Sequence, residues 1–328
     1  MDLVINGYGA VLMKKSNRFV VECNGEKEEI STEDVDQIVI CDSAVVSTAA
    51  LACASERGID LVVMKKSGLP ECRVIPADFG KIARIRRCQL LASESENGFL
   101  IMRSIISAKI VNMSNLILTL SKTRDNVKLR RQKLKLDSFA AKAEKISFED
   151  GYNALRGAEG AASSLYFSVL GEVIPKTFYS GKRSQHPAAD IFNSYLNYCY
   201  GVLYNEVERA CIYSGLDPWT GFMHADRSKN KSFIYDCVEQ FRQPVADRLI
   251  ITMAVRNRFS AGDVDNSFFL TNIGRRKAIG EIIARLDDER TILGKKTTFR
   301  KVIRENIRLL AGCLAEGTEY VPFTYKWN

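Results

Sequence analysis

From the N-terminus to about residue 80, hydrophobic positions come in short runs bounded by turn signals, which is the pattern of strands. The runs fall at 3–5, 10–13, 18–23, 37–40, 60–64 and 72–75, and Asn6-Gly7, Asn24-Gly25 and Ser67-Gly68 mark turns between them. A single helix is expected within this region. Ser47 supplies an N-cap for an alanine-rich stretch ending near Arg57, and Gly58 supplies a stop. From Lys81 the period lengthens to that of amphipathic helices, at 82–93, 97–122, 125–145, 151–170, 189–214, 232–258, 275–293 and 297–316. A polar loop interrupts them at 179–189. The predicted fold class is α+β: a small N-terminal β domain over 1–80, then a larger, mostly α-helical domain over 81–328, with a short connector at 76–81.

The helical half carries the candidate chemistry. Segment 221–244, GFMHADRSKNKSFIYDCVEQFRQP, joins His224, one of only two histidines, to a helix expected to start near Ser232. The polar stretch 227–231 lets the chain fold back. Asp236, Glu239 and Arg242 are spaced three apart and share a helix face among apolar neighbours, so buried acids there need a cation. One imidazole with two carboxylates suits divalent manganese, or magnesium with waters. The structural alternative is that His224 caps a turn and Asp236 pairs with Arg242 or Arg248.

A further acid, Glu159, lies on the less polar face of its helix, with Leu155, Ala162, Ser163 and Tyr166 as helical neighbours. Gly157 and Gly160 flank it and each cost about 1 kcal/mol of helix stability relative to alanine. Their presence predicts close approach of another helix or of a ligand; the alternative is a surface pair between Glu159 and Arg156. His186 precedes a proline in the polar loop beside Lys182 and Arg183. An iron site of two histidines and one carboxylate would need both His186 and His224, and would leave the remaining acids without a shared role.

Composition narrows the classes. A chain of 328 residues with 46% hydrophobic content can bury one large core or two smaller ones, which argues against extensive disorder. The net charge of +8 permits a nucleic-acid partner without requiring one. Basic clusters add to that case: Lys128, Arg130, Arg131, Lys133 and Lys135; Arg275, Arg276 and Lys277; and the four-residue repeat Arg300, Arg304, Arg308. The cysteine count of nine is odd and includes no CxxC pair, so reduced cysteines are expected. The first residues lack a signal-peptide pattern, and the most apolar region, 99–120, is interrupted by Arg103, Lys109 and Asn112. A cytoplasmic protein is expected, with no Gly-rich phosphate loop or dinucleotide fingerprint.

Three longer segments then carry a resemblance: LRGAEGAASSLYF, HPAADIFNSYLNYCYGVLYNEV and SGLDPWTGFMHADRSKNKSFIYDCVEQFRQPVADRL. With STEDVDQIVICDSAVVSTAALACASERGIDLVVMKKSGLP, RRCQLL and AKIVNMSNLI, the chain resembles, over nearly its whole length, the CRISPR-associated integrase and endonuclease family that inserts new spacers. In that family a glutamate, a histidine and a third acid bind the catalytic metal. The resemblance places these at Glu159 in the AEG motif, His224 in GFMH and Glu239 in DCVEQFR, with Asp236 matching a nearby family acid and a share for Asp236 left open. Departures at the lysines of MKKSG and at Met113 do not touch these positions.

The resemblance implies a metal-dependent DNA endonuclease and integrase using Mn2+ or Mg2+, in which the 3′-hydroxyl of a captured fragment attacks a phosphodiester of the CRISPR array. It also implies a β domain serving dimerisation and architecture, a homodimer that clamps a small ferredoxin-like CRISPR-associated partner protein, and double-stranded and branched DNA as substrates. Tyr179, Lys182, Arg183 and His186 are candidate DNA contacts. The competing class is a non-catalytic, basic DNA-binding scaffold, in which the acids are structural.

Overall fold

The computed structural model describes residues 1–75, 82–122, 127–185, 187–224 and 230–327. The chain divides into two compact units, Met1–Gly80 and Lys81–Asn328. The expected connector at 76–81, His186 and most of the polar stretch 227–231 lie outside the described residues.

In the first unit, strands β1 (Asp2–Ile5), β5 (Gln37–Ile40) and β7 (Asp60–Met64) run parallel, and β8 (Pro70–Val74) closes the sheet antiparallel to β7. A second sheet has the order β4 (Glu26–Ser31), β3 (Arg18–Cys23), β2 (Ala10–Lys15), β6 (Ala44–Val46). Gln37–Ile40 is buried along its length, as expected for a strand covered on both faces. Leu3, Ile5, Leu12, Phe19 and Ile38 share one core with Ala50 of helix α1 (Thr48–Glu56). The Ser47 side chain accepts from the Ala50 amide at 3.3 Å, and Gly58 adopts the expected left-handed conformation at φ +65°.

Two strands fall outside the hydrophobic runs expected from the sequence. Strand β4, EKEEIS, is mostly charged and exposed, but Asn24 and Gly25 both take positive φ and fold it back onto β3 with backbone pairing from Arg18↔Ser31 to Cys23↔Glu26. Charge on such an outer strand opposes pairing with other chains. Strand β6 is three residues long and is held by parallel pairing to β2.

The second unit is helical, so the strand-then-helix order expected from the sequence is the observed one. Its helices are α2 (Ala83–Ser93), α3 (Glu96–Lys122), α4 (Val127–Ala143), α5 (Gly151–Leu170), α6 (Ile191–Tyr213), α7 (Ser232–Val238), α8 (Arg248–Val255), α9 (Asn272–Asp287) and α10 (Phe299–Glu316). Helix α3 is long and apolar enough to match a membrane span by length and composition, but it is the mostly buried central helix, packed against α4 and α5.

The expected helix over 232–258 is broken into pieces. After α7 the backbone tightens into a 3-10 turn at Glu239–Phe241 and then widens into a π-helix at Gln243–Asp247 before α8. Pro244 has no N–H to donate and cannot continue the α ladder. The segment expected as helix over 275–293 ends at Asp287, and β9 (Arg290–Ile292) pairs with β10 (Lys295–Thr297) across Leu293 and Gly294, both at positive φ.

The turn at 239–241 is fixed from α3 and the C-terminal segment. Asn112 donates to the carbonyls of Gln240, at 2.8 Å, and Phe323, at 3.1 Å, while the Gln240 side chain accepts from the Phe323 amide at 2.6 Å.

Candidate active site

Asn112 lies three residues from Lys109 on α3, so the bonds that hold the 239–241 turn also hold Glu239 against Lys109. The Lys109 ammonium forms an ion pair with Glu159 Oε1 of α5 and lies 2.6 Å from Glu239 Oε2. One buried ammonium therefore bridges two carboxylates from separate helical elements. Arg242 adds a second cation, 3.1 Å from Glu239 Oε1, and donates to the Tyr204 hydroxyl at 2.8 Å. Its guanidinium lies over the Tyr200 ring at 4.8 Å, a cation-π contact.

Burial would raise the pKa of Glu159, but the Lys109 charge and hydrogen bond, the Ser163 hydrogen bond and Arg242 outweigh it and hold the carboxyl at about 2. Burial would likewise lower the pKa of Lys109; Glu239 and Glu159 reverse the sign and raise it. The cluster thus sets two acidic side chains against two basic ones.

His224 and Asp236 form the second arrangement. Asp236 is fully buried and accepts from the backbone amides of Phe222 at 2.6 Å, Met223 at 3.1 Å and His224 at 3.1 Å, and its Oδ1 lies 2.6 Å from His224 Nδ1. The carboxylate thus folds residues 222–224 around itself and lies against Nδ1; in the tautomer that donates from Nδ1, Nε2 carries the imidazole's lone pair. Gly221 permits the turn, since a Cβ there would stand 2.6 Å from the Ser232 Cβ. Arg156 closes the other side by donating to the Met223 carbonyl.

The first group opens onto a cavity of about 560 Å³ whose wall includes Lys109, Glu159, Lys182, Arg183, Tyr200 and Arg242. The loop bearing Lys182 and Arg183 is held by α6: Asp190 caps the helix at the Asn193 amide, and Asn193 in turn donates to the Lys182 carbonyl at 3.0 Å.

Several expected pairings are replaced. Asp236 binds backbone amides and His224, whereas Arg242 pairs with Glu239. Arg156 bonds Asn153 and Met223, and Glu159 pairs with Lys109. Gly157 and Gly160 are exposed, and a Cβ at either would meet nothing within 4 Å, so among the described residues no other helix approaches them closely. Tyr179 is buried against Phe192 with its hydroxyl on the Phe167 carbonyl, which removes it as a DNA contact. Arg300 is also withdrawn from the expected basic stripe, because it is buried with Asp287 at 2.6 Å and Glu206 at 2.5 Å. Arg308 remains exposed.

Among the described residues no three His, Cys, Asp or Glu side chains are gathered closely enough to hold a metal ion. Two of the expected donors still fit a cation, since Glu159 and Glu239 already share one ammonium, while His224 stands in its separate pair with Asp236. Lys109 is the residue sequence reasoning missed. Its signal was a lysine inside the most apolar helix of the chain, a place where a charge must be paired.

The fold is shared with solved structures. A casposase bound to integration product superposes with a TM-score of 0.81 at 22% identity, covering 98% of this chain and 93% of that one. A Cas6-RT-Cas1–Cas2 complex gives 0.80 at 18% identity over 100% of this chain and 36% of that one. In sequence, a CRISPR-associated endonuclease Cas1 of Archaeoglobus fulgidus is 28% identical over 346 residues, spanning 100% of both proteins. The family model described as CRISPR associated protein Cas1 matches residues 3–283, and the chain belongs to that family.

Proposed function

We propose that this chain is a metal-dependent DNA endonuclease and integrase that inserts captured DNA fragments into a CRISPR array. The observation that supports it most is the pair Glu159 and Glu239 held around the single Lys109 ammonium, with Lys109 and Glu159 on the wall of a basic cavity, in a chain of this family. Glu159, Glu239 and His224 Nε2 would hold a divalent ion, Mn2+ or Mg2+, which when bound supplies charge neutralisation at the phosphate and a lowered pKa for the attacking hydroxyl. Asp236 sets the His224 tautomer and orients the ring. Lys109 and Arg242 face the phosphodiester and stabilise charge that develops on it. Lys182 and Arg183, with exposed basic residues such as Arg130 and Arg131, bind backbone phosphates without reading sequence, which suits fragments of arbitrary sequence.

The proposal extends to the β unit as a dimerisation element, to a homodimer acting with a small ferredoxin-like partner on double-stranded and branched DNA, and to action in the cytoplasm. The likeness to a Cas1–Cas2 assembly and to a casposase with its integration product supports this extension. The second reading, a non-catalytic DNA-binding scaffold, draws on the same basic residues.

End-labelled branched and linear DNA incubated with manganese, magnesium or excess chelator, with and without the partner protein, separates the two. The enzyme reading predicts cleaved or joined products that disappear with chelator. Salt-sensitive binding with no product under any condition, partner included, supports the scaffold.

A further inference from the structure

The cluster at Glu159 has a charge balance that bears on when it can accept a metal. Two carboxylates, Glu159 and Glu239, are already neutralised by Lys109, which touches both, and by Arg242, which touches Glu239. The Lys109 side chain is 4% exposed, so its charge is poorly screened and has few alternative partners in its present position. A divalent ion entering between the carboxylates must push this ammonium away and leave two excess positive charges in a partly buried site. A phosphodiester in the adjoining cavity supplies one of the two missing negative charges and gives the displaced ammonium a new acceptor. The cavity is placed for this, because Lys109, Glu159 and Arg242 all form its wall.

Resting on the metal-site reading above, we infer that Lys109 is a built-in competitor for the metal, so that metal and DNA bind cooperatively and the DNA-free protein holds its cation weakly. Lys109 is here a positioning residue: it keeps the carboxylates paired and inactive until a phosphate draws it off. By linkage, whatever factor DNA contributes to metal affinity, the metal returns to DNA affinity.

The test is Mn2+ binding to DNA-free protein, followed by electron paramagnetic resonance of the free ion, for wild type, Lys109→Met, Lys109→Gln, Lys109→Arg and Glu159→Gln. Circular dichroism checks that each variant is folded. The expected result is binding about tenfold or more tighter in Lys109→Met and Lys109→Gln, with Lys109→Arg near wild type because its cation is kept. A lysine that served only to position DNA would leave Mn2+ affinity in the absence of DNA unchanged. The second measurement needs no variant: the wild-type affinity for labelled branched DNA, by anisotropy at constant ionic strength, should rise with manganese over chelator. Unchanged or weaker Mn2+ binding in both neutral variants, or equal DNA affinity with and without manganese, overturns the inference. If no protein shows Mn2+ binding that Glu159→Gln removes, the metal-site reading itself fails, and the inference with it.

Discussion

A Glu159→Gln protein and a His224→Ala protein, each folded, are expected to lose at least about a hundredfold in DNA cleavage and joining, the scale seen when a preorganised charge-stabilising group is removed. Glutamine keeps the shape of Glu159 and can still accept from Ser163, but it removes the negative charge that pairs with Lys109 and would hold the cation. Alanine at 224 removes Nε2 while leaving the Asp236 bonds to the amides of Phe222 and Met223 intact. The two variants therefore fail by different routes at the proposed metal site. Rates are to be compared at saturating manganese with melting temperatures measured on the same preparations. Rates near wild type in both would remove these residues from the chemistry.

Asp236→Asn is expected to damage both stability and rate. The carboxylate accepts from three consecutive backbone amides and faces His224 Nδ1, all in a buried setting. An asparagine offers one acceptor oxygen and turns an NH2 group toward donors, so at least one buried amide loses its partner. The cost is about 3 kcal/mol, from the unmet donor together with the lost charge-assisted bonds. The imidazole also loses the group that fixes its tautomer, a change that typically costs ten- to a hundredfold in metal affinity or activity. Chemical denaturation and steady-state kinetics on one variant read the two effects separately. A stable variant with normal rate would show that the 222–224 turn and the His224 ring are set by other contacts.

What the sequence made legible follows the range of the interactions involved. Ser47, Asn24-Gly25 and Gly58 act within a few residues, and the cap, hairpin turn and helix stop they signal are all present. Strand β4 was not legible because Ile30 is the single apolar residue in EKEEIS; pairing with β3 makes it a strand. The break at 239–247 was visible in Pro244, yet the helical period over 232–243 and 245–258 overrode that signal. The link from His224 to Asp236 was open to inspection, since they lie only 12 residues apart in sequence. Lys109 and Glu159 are 50 residues apart on different helices, and no local pattern joins them. The same holds for Arg300, whose four-residue spacing with Arg304 and Arg308 reads as a solvated stripe until Asp287 and Glu206 close over it.

The central claim is that Glu159, Glu239 and His224 hold one divalent cation. Its most direct test is a crystal of the protein with branched DNA and manganese, measured at the manganese absorption edge. The account predicts one anomalous peak bonded to Glu159, Glu239 and His224 Nε2, with the Lys109 ammonium moved off the carboxylates. A peak that avoids Glu159, or a site in which Lys109 still bridges Glu159 and Glu239 under saturating manganese, would contradict it.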